Sequence, residues 1–170
     1  LYKNIGVDGI KTGFLTVEKY SLAASLKNGS RRVTSVASGF STKNLRSRES
    51  AKMLNWAIRT FDTIQVALTD TPIDQLEVWM GKKNKVDVSI SEDIYLTVPK
   101  RKKNTIKAVI EYNGPVLAPI TKGDKLGILN VYVNGELEKT ADIFSNENIK
   151  KANIFSRLLR SFNFLVWGDV

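Results

Sequence analysis

The 170-residue sequence contains no histidine and no cysteine. Without imidazole there is no Ser-His-Asp or Cys-His catalysis and no imidazole metal ligand. Without thiols there are no disulfides, redox pairs or thiolate zinc sites. No metal and no cofactor are expected. A proton donor or acceptor working near neutral pH would be a lysine, a carboxylate or a tyrosine with a shifted pKa. The absence of cysteine also suits an exported bacterial protein. No apolar run of about 18 residues, the length that spans a bilayer as a helix, is present. The opening Leu1-Tyr2-Lys3-Asn4 has neither the apolar stretch of a signal peptide nor an initiating methionine, so the expectation is a piece of a longer precursor. No helix-turn-helix, zinc finger or aromatic–basic strand pattern is visible, and no nucleic-acid partner is expected.

Apolar residues make up 42% of the chain, enough for a packed core, and the formal charge is +9. That charge reads as a solvated basic surface or as attraction to an anionic partner. Three parts follow from the patterning: residues 1–66, 67–146 and 147–170.

In the first part, Ile5–Gly13 reads as a loop entering a strand. Two strands follow, Tyr20–Leu26 and Arg32–Phe40, and Asn28-Gly29 between them is a strong hairpin signal. Small side chains dominate both strands, as suits a sheet that a helix approaches closely. Ser41 or Thr42 can cap the helix that follows. Leu54, Ala57, Ile58 and Phe61 recur at helical spacing and predict its buried face. The second part shows short alternating runs, among them Val86/Val88/Ile90 and Leu129/Val131/Val133, separated by turn sequences. It predicts a small all-β sandwich or barrel. The basic run Pro99–Lys103 reads as an exposed hairpin tip. In the third part Ile154, Phe155, Leu158, Leu159, Phe162, Leu165 and Val166 predict one apolar helical stripe. Lys150, Lys151, Arg157 and Arg160 lie largely outside it. Such a helix can lie in the headgroup plane of an anionic membrane, or pack on the β domain or on a partner.

Chemistry points to Lys11-Thr12-Gly13. An ammonium fixed on a strand attracts a carboxylate, and a threonine hydroxyl donates to it. A glycine lets a substrate backbone lie close to the strand, and the next backbone N–H can point at a developing oxyanion. The triplet alone is also an ordinary turn sequence; its neighbours decide. The elements V-D-G-I-K-T-G, Y-S-L-A-A-S, R-x-x-E-S and a tryptophan-containing helix occur in order within Ile5–Thr63. Together they resemble the end of the catalytic domain of the D-alanyl-D-alanine carboxypeptidases, the low-molecular-mass penicillin-binding proteins of the 5/6 type. A small β domain and an amphipathic C-terminal helix suit the same family.

The resemblance implies the α/β end of a penicillin-binding (β-lactamase-like) transpeptidase domain, then an all-β sandwich and a C-terminal amphipathic helix. It implies roles for individual residues. Lys11 would hold the serine of the second family motif and favour the anionic substrate end. Thr12, beside Gly13, would bind the terminal carboxylate of D-Ala-D-Ala or of a β-lactam. The Phe14 N–H would be half of the oxyanion hole, and Arg46 would steer the carboxylate. The alternative for Arg46 is a helix-start residue on a solvated face. Asp8 and Gly9 are expected to shape the turn before the strand. Implied partners are a peptidoglycan stem peptide ending in D-Ala-D-Ala, β-lactams, and an anionic membrane surface through 147–170. The implied location is the periplasm, on the outer face of the inner membrane.

The sequence also departs from the family pattern. Phe14 stands where many relatives carry a polar residue, and T-V-E-K-Y-S replaces a commoner small-residue turn. No serine has a lysine three residues on, so the Ser-x-x-Lys nucleophile motif is missing. The match to Ser-x-Asn at Ser161–Asn163 lies inside the amphipathic stretch and reads as chance. The nucleophile is expected upstream of Leu1, and the chain alone is expected to be inactive. Two other readings compete. One is a non-enzymatic basic module that binds an anionic surface. The other is a β-lactamase remnant, against which the β domain argues.

Overall fold

A computed structural model describes residues 6–69 and 71–154, together with Leu158 and Phe162. The chain divides into two compact units. One comprises the residues up to Thr63 with Thr97–Arg101, and the other Ile64–Leu96 with the residues from Lys102 onward.

The first unit is an antiparallel sheet, β1 (Val7–Leu15), β2 (Lys19–Asn28) and β3 (Arg31–Phe40), in that spatial order, with helix α1 (Lys43–Thr60) packed on β2 and β3. Strand β1 begins earlier than the loop expected at Ile5–Gly13, since the extended backbone already starts at Val7. The hairpin between β2 and β3 closes through Gly29 and Ser30, with Asn28 paired to Arg31. Gly29 takes φ +62, a conformation that costs a glycine little.

Thr42 caps α1, its hydroxyl accepting from the Leu45 N–H at 3.1 Å. At the other end the Phe61 N–H donates to the Ala57 carbonyl, and the Arg31 guanidinium donates to that carbonyl and to that of Phe61 beyond the helix end. Phe61 corrects the expected helical stripe. It is extended (φ −111) and opens strand β4 (Phe61–Ala67), while its ring meets Trp56 edge-on at 5.2 Å. Its apolar character serves an aromatic contact beyond the helix end. The core between sheet and helix is small: Val7, Leu22, Ala24, Leu26 and Leu54.

The second unit is built of strands as far as Ala152. A six-stranded sheet runs β8-β10-β11-β6-β5-β9, where β5 is Asp74–Trp79, β6 Lys85–Ile90, β8 Ile106–Tyr112, β9 Val116–Leu117, β10 Lys125–Val133 and β11 Glu136–Ser145. All its pairings are antiparallel except that of β5 with β9. Strand β4 pairs with β7 (Ile94–Pro99). The alternation seen in the sequence is the core itself, with Leu76, Val78, Val86, Val88, Ile90, Leu129 and Val131 all buried. The β10–β11 hairpin turns at Asn134 (φ 55) and Gly135 (φ 86), the paired left-handed geometry that Asn-Gly favours.

The run Pro99–Lys103 is not a hairpin tip. It enters a 3₁₀ turn, Lys100–Thr105, which links β7 to β8, and these two strands pair with different partners. The amphipathic helix expected over 147–170 falls largely outside the described residues, and its start is corrected, since Ile149 and Lys151 sit in β-bridges to Ile120 and Gly81 and the segment is not helical before Ile154. Within them, Ile154, Leu158 and Phe162 are helical and exposed.

Candidate functional site

Register on β1 decides which side chains of the triplet act together. Lys11 pairs with Ala23, Thr12 with Leu22, Gly13 with Ser21 and Phe14 with Tyr20. Successive strand residues point to opposite faces, and paired residues share one. Leu22, Ala24 and Leu54 are buried between sheet and helix, so the Leu22 face is the one that α1 covers. Lys11 and Gly13 therefore lie on the other, open face with Ala23 and, one strand further, Val36, which is 77% exposed. Here a shallow groove of about 430 Å³ is lined by Lys11–Gly13, Ser21–Ala23 and Val36–Ser38.

The floor of this groove explains two small residues. A Cβ on Gly13 would stand 2.4 Å from the Ser21 hydroxyl, so a side chain there would require Ser21 to turn its Oγ aside. β1 is also the outer strand of the described three-stranded sheet. Every second N–H and C=O along such an edge points away from its partner strand and is open to a peptide-like ligand.

Asp8 was expected in a turn but lies within β1, where the pairing register slips between Val7 and Gly9. That slip accompanies a bidentate pair, the Arg32 guanidinium donating to both Asp8 carboxylate oxygens at 2.6 and 2.7 Å. Arg32 also donates to Ser25 Oγ at 2.7 Å, and Ser25 meets the Thr34 hydroxyl at 3.2 Å. Arg32 of β3 thus reaches over β2 to hold the start of β1. The hydrogen bonds from Arg32 keep the Asp8 carboxyl below the ordinary aspartate value, and the carboxylate in turn raises Arg32.

The sign of this linkage fixes a prediction. A depressed folded-state pKa adds stability that is present above the unfolded aspartate value and is lost as pH falls through the lowered one. A carboxyl-carbon NMR titration of Asp8 is expected to show a midpoint below that of an unperturbed aspartate, and Arg32→Gln is expected to return it to the ordinary range. An unmoved midpoint in the variant would show that the clamp does not operate in solution.

Phe14, Tyr20 and Arg46 form a separate row. The Phe14 and Tyr20 rings are tilted against each other with centroids 4.7 Å apart, and the Arg46 guanidinium sits 5.8 Å from the Tyr20 centroid. Arg46 lies in the first turns of α1, and its Nε is buried with no hydrogen-bond partner. Of the residues singled out in the sequence, Lys11, Thr12 and Gly13 line the groove, but Thr12, paired with Leu22, carries its side chain on the face towards α1, opposite that of Lys11. Phe14 and Arg46 do not line it; Tyr20 joins them to each other. Tyr20, Ser21 and the Asp8–Arg32 clamp are additions from the fold. Only the cross-strand register shows them, because each pairing depends on which residues of neighbouring strands come opposite.

The chain is similar to known proteins along most of its length. The family model described as "Penicillin-binding protein 5, C-terminal domain" matches residues 61–151. Among curated relatives, D-alanyl-D-alanine carboxypeptidase DacC of Escherichia coli (strain K12) is 32% identical over 156 residues, 91% of this chain and 39% of that protein. D-alanyl-D-alanine carboxypeptidase DacF of Bacillus subtilis (strain 168) is 32% identical over 92% of this chain and 40% of its own length. Among solved structures, penicillin-binding protein 5 of Haemophilus influenzae superposes with a TM-score of 0.73 at 30% identity, covering 88% of this chain and 44% of that one. The chain thus spans about two fifths of the length of the curated relatives it matches.

Proposed function

The chain belongs to the penicillin-binding protein 5 C-terminal domain family, and from that premise we propose that it is part of a serine-type D-Ala-D-Ala carboxypeptidase. The observation that carries this reading is the triplet itself: Lys11, Thr12 and Gly13 line a groove on the outer strand of a sheet backed by α1. The reading assigns residues 1–66 to the end of the catalytic domain, 67–146 to an all-β sandwich and 147–170 to a membrane-surface helix.

In this reading the substrate is the peptidoglycan stem peptide ending in D-Ala-D-Ala. Its terminal carboxylate is bound by the Thr12 hydroxyl and drawn in by the charges of Lys11 and Arg46. Gly13 lets the peptide lie against β1, and the Phe14 N–H stabilises the oxyanion as the scissile carbonyl becomes tetrahedral. The attacking serine comes from a part of the longer protein outside these 170 residues, since no Ser-x-x-Lys occurs within them. The serine oxygen bonds to the carbonyl carbon, the C–N bond breaks, and D-Ala leaves with a proton on its nitrogen. Water then hydrolyses the acyl-serine. β-Lactams acylate the same serine. The protein works in the periplasm, peripheral on the outer face of the inner membrane, with the segment 147–170 on an anionic surface.

Fluorescent penicillin tests the assignment. The longer protein is expected to become covalently labelled, and the 170-residue chain is expected to remain unlabelled. Labelling of the chain alone would place a nucleophile within it and overturn the reading, as would a longer protein that takes no label.

A further inference from the structure

The second unit carries a set of charges that the acyl-transfer reading does not use. Residues 148–152 run between two turns. Ile149 and Ile120 exchange backbone hydrogen bonds, the Lys82 N–H donates to the Lys150 carbonyl at 2.8 Å, and Gly81 bridges Lys151. The Lys122 N–H donates to Asn148 Oδ1 at 2.8 Å, and the Ala152 N–H to the Met80 carbonyl at 2.9 Å. Three separate stretches of chain thereby bring Lys82, Lys122, Lys150 and Lys151 to one place, all exposed. Among the described residues their ammonium groups make no hydrogen bond or ion pair. The acidic groups nearby are engaged: Glu147 with Lys83, and the Asp124 carboxylate with the Thr121 N–H.

We propose that this lysine cluster is a contact surface for the phosphate headgroups of an anionic bilayer. The chemistry that recognises it is a plane of phosphodiesters. Two residues beyond Ala152 comes Ile154, which with Leu158 and Phe162 is helical and exposed at 74, 71 and 65%. Their four-residue spacing puts them on one helix face. A soluble polyanion would give the ammonium groups partners but leave that apolar row in water. A bilayer offers phosphates to the lysines and hydrocarbon to the row beside them. The inference rests on reading the terminal segment as a membrane-surface helix and adds to it a second, purely electrostatic contact on the β unit.

The test is co-sedimentation of the whole 170-residue chain with phosphatidylcholine vesicles, with and without phosphatidylglycerol. A variant carrying Lys82→Gln and Lys122→Gln, the two lysines outside the segment 147–170, is compared with one carrying Leu158→Ser and Phe162→Ser, with amide NMR dispersion as the check on folding. The lysine variant is expected to lose about fivefold in affinity for the anionic vesicles per charge removed, with affinity for neutral vesicles unchanged. The apolar variant is expected to weaken binding to both. If the lysine variant binds anionic vesicles as the parent does, this inference fails while the helix reading stands. A parent chain that binds neither vesicle removes the helix reading and this inference with it. Binding of soluble polyphosphate as tightly as of anionic vesicles would overturn the bilayer in favour of a free polyanion.

Discussion

In the longer protein, Lys11→Met is expected to slow acylation by a fluorescent penicillin by about 10²–10³-fold, with the melting temperature unchanged. The fold and the chemistry separate cleanly at this position. Lys11 is exposed on the open face of the sheet, opposite the helix, and its ammonium makes no ion pair among the described residues. Methionine keeps the length and apolar stem of the side chain and removes only the charge. What is lost is a fixed cation beside the place where the proposed reading puts both the substrate carboxylate and the developing oxyanion. Stopped-flow acylation together with thermal melting distinguishes the cases. A variant that is acylated at the parental rate would remove Lys11 from the chemistry and return the triplet to an ordinary strand sequence. A variant that melts early would show a structural role that the exposed position does not suggest.

How much of this was legible in the sequence depends on how local each feature is. The strands of the second unit announced themselves, because Val86, Val88, Ile90, Leu129, Val131 and Val133 alternate with polar residues and end up buried. The β2–β3 and β10–β11 hairpins both carry Asn-Gly; in the second both residues are left-handed, whereas in the first only Gly29 is and Asn28 stays paired in the strand. The errors came where two causes give one pattern. Phe61 continued the helical spacing, yet it faces Trp56 from beyond the helix end. The basic run after Pro99 looked like a solvated hairpin tip, yet it is a 3₁₀ link between strands that never pair. At the candidate site the triplet was readable because its three residues are contiguous. The Arg32 clamp on Asp8 and the packing of Gly13 against Ser21 depend on register across β2, which slips at Asp8. No periodicity in the sequence encodes that slip. The row Phe14–Tyr20–Arg46 draws on three elements and was equally out of reach.

Leu54→Ala is expected to destabilise the first unit by about 2–5 kcal/mol, the range for emptying a fully buried leucine site. Leu54 is 0% exposed and is the only residue α1 contributes to that unit's buried apolar core, among the described residues. Its buried partners there, Val7, Leu22, Ala24 and Leu26, are few, so the surrounding chain has little with which to refill the space. Whole domains are stable by only about 5–15 kcal/mol, so a loss of this size is a large share of what holds the helix on the sheet. Hydrogen exchange reads the effect locally. Amides of Leu22–Leu26 in β2 are expected to lose protection, while those of Leu129–Val133, whose side chains belong to a separate buried cluster, keep theirs. Equal loss in both strands would mean that the two units unfold as a single cooperative body. Val36→Ala supplies the contrast, because Val36 is 77% exposed on the open face and its truncation is expected to cost less than about 0.5 kcal/mol. The asymmetry between these two valine and leucine sites is what leaves the groove available. The sheet draws its stability from the face that α1 covers, so side chains on the face bearing Lys11 and Gly13 can change at little cost to the fold.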